Sequence, residues 1–138
     1  MRSILVTDTS VVYAALVRGD RHHEACAGLL SSGVPVGVST PVLTEAGLIA
    51  LSRAGPGALV RLLQSVVDGS LVVLDPDPED YVRIRDLVLR YHDLPLGIVD
   101  ASVVAAAERL EETTIATLDR RHFSVVRPLH CKALTLVP

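Results

Sequence analysis

Residues 4–17 read ILVTDTSVVYAALV, and this stretch decides the fold class. The first four residues are apolar or β-branched, which favours a short buried strand, and the residues from Ser10 to Val17 follow a helical pattern. Asp8 stands between the two, where an acidic side chain can cap the helix. A continuously apolar strand that leads directly into a helix is typical of parallel sheets covered by helices on both faces.

The same alternation of short apolar runs and longer helical patterns extends along the whole chain. Further strands are predicted at residues 36–39, 71–74, 114–117 and 133–137. Further helices are predicted at residues 23–30, 41–54, 57–67, 79–91 and 98–110, the second of these with Thr40 as its N-cap and Pro41 in its first turn. The sequence therefore predicts one α/β domain over residues 1–138, a three-layer α/β/α sandwich around a parallel sheet of four to five strands.

Composition argues against several classes of function. The 138 residues include 13 Lys and Arg and 16 Asp and Glu, which give a formal net charge of −3. This net charge argues against a protein that coats nucleic acid non-specifically through an excess of positive charge. Aromatic residues make up 3%, with no Trp, which argues against a single-strand binder built on stacking. Cys26 and Cys131 are too few for a disulfide framework and are expected to be buried, reduced thiols. No membrane span or signal-peptide core is predicted, so a cytoplasmic protein is expected.

Four acidic residues occupy positions that the surrounding pattern would bury. Asp8 and Asp119 follow the first and fourth predicted strands, at the edge where open α/β sheets bind ligands. Glu45 and Asp100 have apolar neighbours at helical spacing. Simpler roles stay open at this point: helix capping for Asp8 and Asp119, a position at the rim of an apolar stripe for Glu45, and a favourable helix-dipole interaction for Asp100.

A fold that brings these four carboxylates together must neutralise their mutual repulsion. Two unit charges about 4 Å apart repel by about 4 kcal/mol at an effective dielectric constant near 20. Oxygen ligands without a nearby cysteine or a convergent histidine favour Mg²⁺ or Mn²⁺, and open coordination positions suit phosphate chemistry. The acids are therefore interpreted as metal ligands more than as proton shuttles.

In this order and at this length, the acidic segments resemble the PIN-domain nucleases, and more narrowly the VapC-type toxins of bacterial toxin–antitoxin pairs. The resemblance covers nearly the whole chain and rests on Asp8 followed by Thr9 and Ser10, Glu45 in its Pro-initiated helix, Asp100 followed by Ala101, and Thr117-x-Asp119 with Phe123 behind it. It implies endonucleolytic cleavage of RNA with Mg²⁺ or Mn²⁺. It also implies a homodimer that a cognate antitoxin silences.

Carried over by position, the resemblance implies that Asp8, Glu45, Asp100 and Asp119 form the catalytic acidic constellation. Asp8 and Asp100 would bind the metal directly, and Glu45 and Asp119 directly or through water.

Other positions receive lesser roles from the same resemblance. Ser10 and Thr117 would be hydroxyls that orient the acids or hold a water, with capping as the alternative. Some relatives have a further acid near the position of Asp93, but its YHDLP context favours turn chemistry.

Two surface features predict binding partners. Arg18, Arg21, Arg120 and Arg121 flank the predicted acidic edge, the last two beside His122, and are expected to contact the RNA backbone, with ordinary solvated loops as the alternative. The mean hydropathy of +0.42 is high for a small chain, so apolar surface is expected to remain after folding. A second copy or an amphipathic antitoxin segment would cover it.

Other functions stay open to different degrees. A housekeeping RNA-processing nuclease of the same fold would need no antitoxin, and a non-catalytic RNA-binding relative would not use the acids. A haloacid-dehalogenase-like phosphatase needs a second Asp where this chain has Ser10, and a receiver domain needs a lysine after a late strand, which Lys132 does not provide.

Overall fold

Aliphatic and β-branched runs form the five strands of the computed structural model, which describes residues 3–138. The strands are β1 (Leu5–Thr7), β2 (Val36–Ser39), β3 (Leu71–Leu74), β4 (Thr114–Ala116) and β5 (Thr135–Val137). They form one parallel sheet in the order β3-β2-β1-β4-β5. Helices flank this sheet, so the predicted α/β architecture is confirmed, with five strands.

Seven helices connect the strands within the described residues. They are α1 (Thr9–Leu16), α2 (His23–Leu30), α3 (Thr40–Ala54), α4 (Pro56–Val67), α5 (Pro78–Arg90), α6 (Ile98–Arg109) and α7 (Arg120–Phe123). The first six agree with the sequence prediction within a residue or two, and α7 is a single turn that the hydrophobic pattern does not predict. No helix in residues 3–138 is long and apolar enough to cross a bilayer.

The N-terminus of α3 differs from the prediction by one residue. Ser39, not Thr40, is the N-cap, and its Oγ accepts a hydrogen bond from the backbone N–H of Val42 at 3.2 Å. Pro41 therefore lies one position further into the first turn, where its missing N–H still costs no intrahelical hydrogen bond. The shift matters because it leaves the Ser39 side chain buried at the end of β2.

The sheet changes direction between β1 and β4. Chain order runs outward from β1 to β3 on one side, and β4 and β5 add on the other side, so β1 and β4 are neighbours at the switch. The loops that leave these two strands diverge, which opens a crevice at the carboxyl edge. The register pairs Thr7 with Ala116, and the Asp8 N–H donates to the Ala116 carbonyl at 2.9 Å, so Asp8 and Thr117 lie side by side at this crevice.

The core lies around the three central strands and α6. Val6, Val38 and Ile115 are fully buried, and α6 is buried along residues 101–107, as its apolar sequence predicts. Cys26 is also fully buried, as predicted, whereas Cys131 is only partly buried; both are free. A helix with so little exposed surface is held in one position, and so is the Asp100 side chain in its first turn.

Close packing in β2 gives a test of the sheet. A Cβ at Gly37 would lie 2.7 Å from Leu74 Cδ1 and 2.8 Å from Ile4 Cγ2. We expect Gly37→Ala to lower the free energy of unfolding by about 1–3 kcal/mol through overpacking. In α2, a Cβ at Gly28 meets no atom within 4 Å. Gly28→Ala should therefore raise stability by up to about 1 kcal/mol. Urea unfolding measures both, and equal stability of the two variants would contradict this packing.

Candidate active site

A cleft of about 370 Å³ opens at the carboxyl edge of β1 and β4. Each of the four acids singled out in the sequence lines it: Asp8, Glu45, Asp100 and Asp119. Two come from the strand ends and two from the helices α3 and α6, so the acids are up to 111 residues apart in the chain. The structure therefore brings together all four residues that the sequence analysis selected.

Asp8 is the most buried of these acids, with 4% of its surface exposed. Its Oδ1 accepts from the Thr9 backbone N–H at 2.7 Å, which makes Asp8 the N-cap of α1. Its Oδ2 accepts from Thr117 Oγ1 at 2.8 Å and from Ser10 Oγ at 3.1 Å. These three hydrogen bonds fix the carboxylate and leave one lone pair of Oδ1 directed elsewhere.

The two hydroxyls that hold Asp8 are fixed from the other side by backbone donors. Ser10 Oγ accepts from the Leu118 N–H at 3.0 Å, and Thr117 Oγ1 accepts from the Asp119 N–H at 2.9 Å. Because each hydroxyl accepts from a backbone N–H, its single proton is free to point at Asp8. Ser10 and Thr117 therefore orient Asp8 and join the loop after β4 to the start of α1.

Asp119 and His122 form a second fixed pair across the cleft. Asp119 Oδ1 accepts from the His122 backbone N–H at 3.1 Å and so caps α7. Its Oδ2 lies 2.6 Å from His122 Nδ1, which is also 3.4 Å from Asp100 Oδ2. Phe123, fully buried, anchors this short helix to the core. In the sequence His122 stands beside the flanking basic residues, and its place among the acids is not predicted.

A pair of buried serines sets α3 against α6. Ser39 Oγ lies 2.7 Å from Ser102 Oγ, and Ser102 Oγ donates to the Val99 carbonyl at 2.6 Å. Ser39 therefore donates to Ser102, and both hydroxyls are satisfied without water. The link fixes the first turns of the helices that carry Glu45 and Asp100, and it was not visible in the hydrophobic pattern.

Burial and mutual repulsion dominate the electrostatics of the cleft. Burial raises the pKa of Asp8, against the opposing effect of hydrogen bonds from Thr117, Ser10 and Thr9. The pKa of Asp100 is raised to about 6, chiefly by burial and then by the charges of Asp8, Asp119 and Glu45, while His122 opposes the rise. The acids thus share one electrostatic field, in which added negative charge is unfavourable.

The donor atoms of the cleft fit a divalent cation. Carboxylate oxygens are the ligands that Mg²⁺ and Mn²⁺ prefer, and a cation relieves the repulsion that raises the pKa of Asp100. Within the described residues, the tightest potential ligand group comprises Asp100, Asp119 and His122, whose ligand atoms lie within 4.8 Å of one another. The site is therefore rich in oxygen, as predicted, but it includes an imidazole nitrogen that the sequence analysis did not expect.

Asp93 lies apart from the acidic cleft. Its side chain is 94% exposed in the turn before α6, where it lies 3.1 Å from His92 Nε2. The backbone of the same turn does reach the site, since the Leu94 carbonyl lies 3.1 Å from His122 Nε2. Turn chemistry thus describes Asp93, as its sequence context favours.

The arginines predicted to contact RNA are exposed but do not line the cleft in the described part of the chain. Arg18, Arg21, Arg120 and Arg121 lie on loops or on α7, and Arg120 donates to the Pro138 carbonyl at 3.0 Å. An arginine that the sequence analysis did not select, Arg53, lines the cleft instead, 5.8 Å above the ring of Tyr13.

Comparison with known proteins is consistent with this geometry. The family model of the PIN domain matches residues 5–128. The curated Ribonuclease VapC26 of Mycobacterium tuberculosis is 30% identical over 135 residues, which cover 97% of this chain and 100% of that protein. The crystal structure of Mycobacterium tuberculosis VapC20, described as a Sarcin-Ricin loop cleaving toxin, superposes with a TM-score of 0.82 at 23% identity, covering 94% of this chain and 99% of that one. The crystal structure of DNA-bound VapBC from Salmonella typhimurium superposes with a TM-score of 0.68 at 17% sequence identity. The superposition covers 99% of this chain and 97% of that one.

The raised pKa of Asp100 predicts a pH-dependent stability in the absence of metal. The fold favours the protonated form of Asp100. The Asp100 side chain therefore lowers the free energy of unfolding fully above about pH 6, where it is ionised in the folded state, and not below its ordinary pKa of 3.8. With chelator present, we expect Asp100→Asn to stabilise the protein at pH 8 by roughly 3 kcal/mol at most, and to have little effect at pH 4. Urea unfolding at both pH values measures this, with Asp93→Asn as the control. A variant less stable than wild type at pH 8 would contradict the assignment.

Proposed function

The chain belongs to the PIN-domain family, and from this membership we propose that it is a metal-dependent endoribonuclease acting as the toxin of a toxin–antitoxin pair. The observation that carries the proposal is the convergence of four carboxylates, Asp8, Glu45, Asp100 and Asp119, in one cleft at the sheet's switch point. Helix capping by Asp8 and Asp119 does not explain why Glu45 and Asp100 line the same cleft, because carboxylates close together repel one another. The relative named as a ribonuclease supports the same activity.

We assign a divalent cation, Mg²⁺ or Mn²⁺, to this cleft. Asp8 and Asp100 would hold it directly, and Glu45 and Asp119 directly or through water. When bound, such a cation supplies Lewis acidity at a phosphodiester and offsets charge on the departing oxygen. The chain's own contribution is to hold the acids in fixed positions.

That fixed geometry comes from the hydrogen bonds around the acids. Ser10 and Thr117 keep the Asp8 carboxylate in one orientation, and the Ser39–Ser102 link keeps α3 and α6 in register. Asp8 needs little rearrangement to bind a cation, because three of its four acceptor positions are already occupied. Preorganised charge of this kind is an effective way to stabilise a charged transition state.

The phosphates of RNA and the acids of the cleft are both negatively charged and repel one another. Cationic side chains near the mouth of the cleft are therefore needed to hold the RNA backbone. Arg53 lies in the cleft wall against Tyr13. We propose that it contacts the backbone near the cut, and that Arg18, Arg21, Arg120 and Arg121 contact it further out. An RNA substrate is met in the cytoplasm, where we expect this protein to act.

Exposed apolar surface supports protein partners. On α3 and α4, large apolar side chains face solvent, among them Leu48, Val60, Leu63 and Val67. A separate groove of about 370 Å³ is lined mainly by residues of α1, α2 and α4. We propose that the first surface supports a homodimer and that the groove receives an amphipathic antitoxin segment. Structures of VapBC and of a toxin–antitoxin complex among the fold's relatives support an antitoxin.

Two other functions remain as alternatives. A housekeeping RNA-processing nuclease would use the same cleft and lack an antitoxin. A non-catalytic RNA-binding module would keep the fold but would not need the acids, and the complete set of four acids disfavours it. A short basic protein with a DNA-binding N-terminus encoded beside this gene would favour the toxin over the housekeeping nuclease.

Metal-dependent cleavage tests the proposed activity. Antitoxin-free protein should cut a structured RNA pool with Mg²⁺ or Mn²⁺ and not with EDTA. Asp100→Asn should lower the cleavage rate by more than about 100-fold, since the loss of a metal-binding group commonly exceeds the loss of its supporting contacts. Fragment-end sequencing measures the cuts and reveals the preferred site.

Asp93→Asn is the matched control, because it removes an acid seven residues away that lies outside the cleft. It should cleave as wild type does.

Two arginine variants test the proposed RNA contacts. Arg53→Glu and Arg120→Glu should each weaken RNA binding and flatten the dependence of RNA affinity on salt concentration. Cleavage that persists in EDTA, or equal loss in the Asp93 and Asp100 variants, would contradict the proposal.

Light scattering tests the proposed dimer. We expect two copies per particle at micromolar concentration, and Leu63→Glu with Val67→Glu should shift the protein to monomers because charges replace exposed apolar groups on α4. Val82→Glu, on the exposed face of α5, serves as the control. A wild-type protein that stays monomeric and soluble at high concentration would contradict the dimer.

A further inference from the structure

His122 has a specific hydrogen-bond environment on both sides of its ring. Its Nε2 lies 3.1 Å from the backbone carbonyl of Leu94. Its Nδ1 lies 2.6 Å from Asp119 Oδ2 and 3.4 Å from Asp100 Oδ2. The side chain is 22% exposed, so most of the ring is enclosed by protein.

These contacts determine which ring nitrogen carries the proton. A backbone carbonyl can only accept, so Nε2 must be the donor. The Nδ1 lone pair of the neutral ring then faces two carboxylates, whose ionised oxygens also only accept. Three electron-rich atoms cannot stay this close unless a proton or a cation lies between them.

The Leu94 carbonyl is independent of the acids and points to a metal. Histidines that bind metals characteristically donate their other ring N–H to a backbone carbonyl or carboxylate, which fixes the tautomer and the ring orientation. His122 has this arrangement, and its other ring nitrogen, Nδ1, faces Asp119 and Asp100. The 3.4 Å separation from Asp100 suits two ligands of one ion, whereas the 2.6 Å contact with Asp119 would open slightly.

We propose that His122 Nδ1 is a direct ligand, together with Asp100 and Asp119, of a divalent cation in this cleft, and that it favours Mn²⁺ over Mg²⁺. The inference rests on the cation of the proposed function and adds a nitrogen ligand to it. Mg²⁺ takes oxygen ligands almost exclusively, whereas imidazole suits first-row transition ions. Mn²⁺ accepts both the carboxylates and the imidazole.

Local structure explains how the chain provides this ligand. Asp119 caps α7 and His122 is three residues later, so both side chains lie on one side of a single helical turn. The buried Phe123 fixes that turn, and the loop before α6 supplies the Leu94 carbonyl. The three proposed ligands therefore come from the first turn of α6, the N-cap of α7 and α7 itself, and contacts that do not involve the metal hold Asp119 and His122.

Pulsed electron paramagnetic resonance of bound Mn²⁺ tests the proposal without measuring activity. The full-length protein is stripped with chelator and given one equivalent of Mn²⁺. We expect echo modulation from a coordinated ¹⁴N that changes when the protein is labelled with ¹⁵N-histidine. His122→Gln should abolish the modulation, and His92→Gln, in the exposed turn, should retain it. The wild-type labelling experiment decides the result even if a variant does not fold.

Isothermal titration calorimetry tests the proposed preference for Mn²⁺ over Mg²⁺. We expect His122→Gln to weaken Mn²⁺ binding by about 10-fold or more and Mg²⁺ binding by much less. Mn²⁺ that binds wild type without nitrogen modulation would overturn His122 as a ligand and leave the proposed nuclease intact. A protein that binds neither ion at millimolar concentration would overturn both.

Discussion

Asp8, Glu45, Asp100 and Asp119 lie at one edge of the sheet, where their carboxylates are partly buried and repel one another. At an effective dielectric constant near 20, each pair of charges about 4 Å apart costs about 4 kcal/mol, and a whole domain is stable by only about 5–15 kcal/mol. The fold nevertheless concentrates Asp8, Glu45, Asp100 and Asp119 there. Burial is the main cause of the raised pKa of Asp100, the charges of the neighbouring acids add to it, and a bound cation would offset that repulsion.

Much of the surrounding structure holds this unfavourable arrangement in place. Asp8 and Asp119 each cap a helix and also line the cleft, so the capping contacts help to position the site. Helix capping and a place in the acidic cleft are alternative interpretations of the sequence, but in the structure both acids do both. The local hydrogen bonds also oppose the effect of burial on the pKa of Asp8, which helps to keep a buried acid available for a cation.

The fold and the convergence of the four acids at one sheet edge can be predicted from the sequence, because the features that indicate them are local. Short aliphatic runs and helical spacing identify β1 to β5 and α1 to α6, and an acid in an apolar context, such as Asp100, is conspicuous without any structure. The N-cap of α3 is misplaced by one residue because Ser39 and Thr40 are both good caps. Only the buried contact between Ser39 and Ser102, 63 residues apart, distinguishes them.

The features that the sequence did not predict depend on contacts between distant segments. His122 stands beside two arginines and looks like part of a basic loop, and only the fold brings Asp100 and the Leu94 carbonyl to its ring. Arg53 is at the end of α3, and its place over Tyr13 depends on how α1 packs on α3. A pattern of residue types contains no information about such distances.

We expect a divalent cation to balance the charge of this cleft. Crystals soaked in Mn²⁺, with diffraction data collected on both sides of the manganese absorption edge, test it most directly. We expect an anomalous peak within bonding distance of Asp100 and of at least one other acid of the cleft. Ordered side chains around the cleft with no such peak at saturating Mn²⁺ would contradict it.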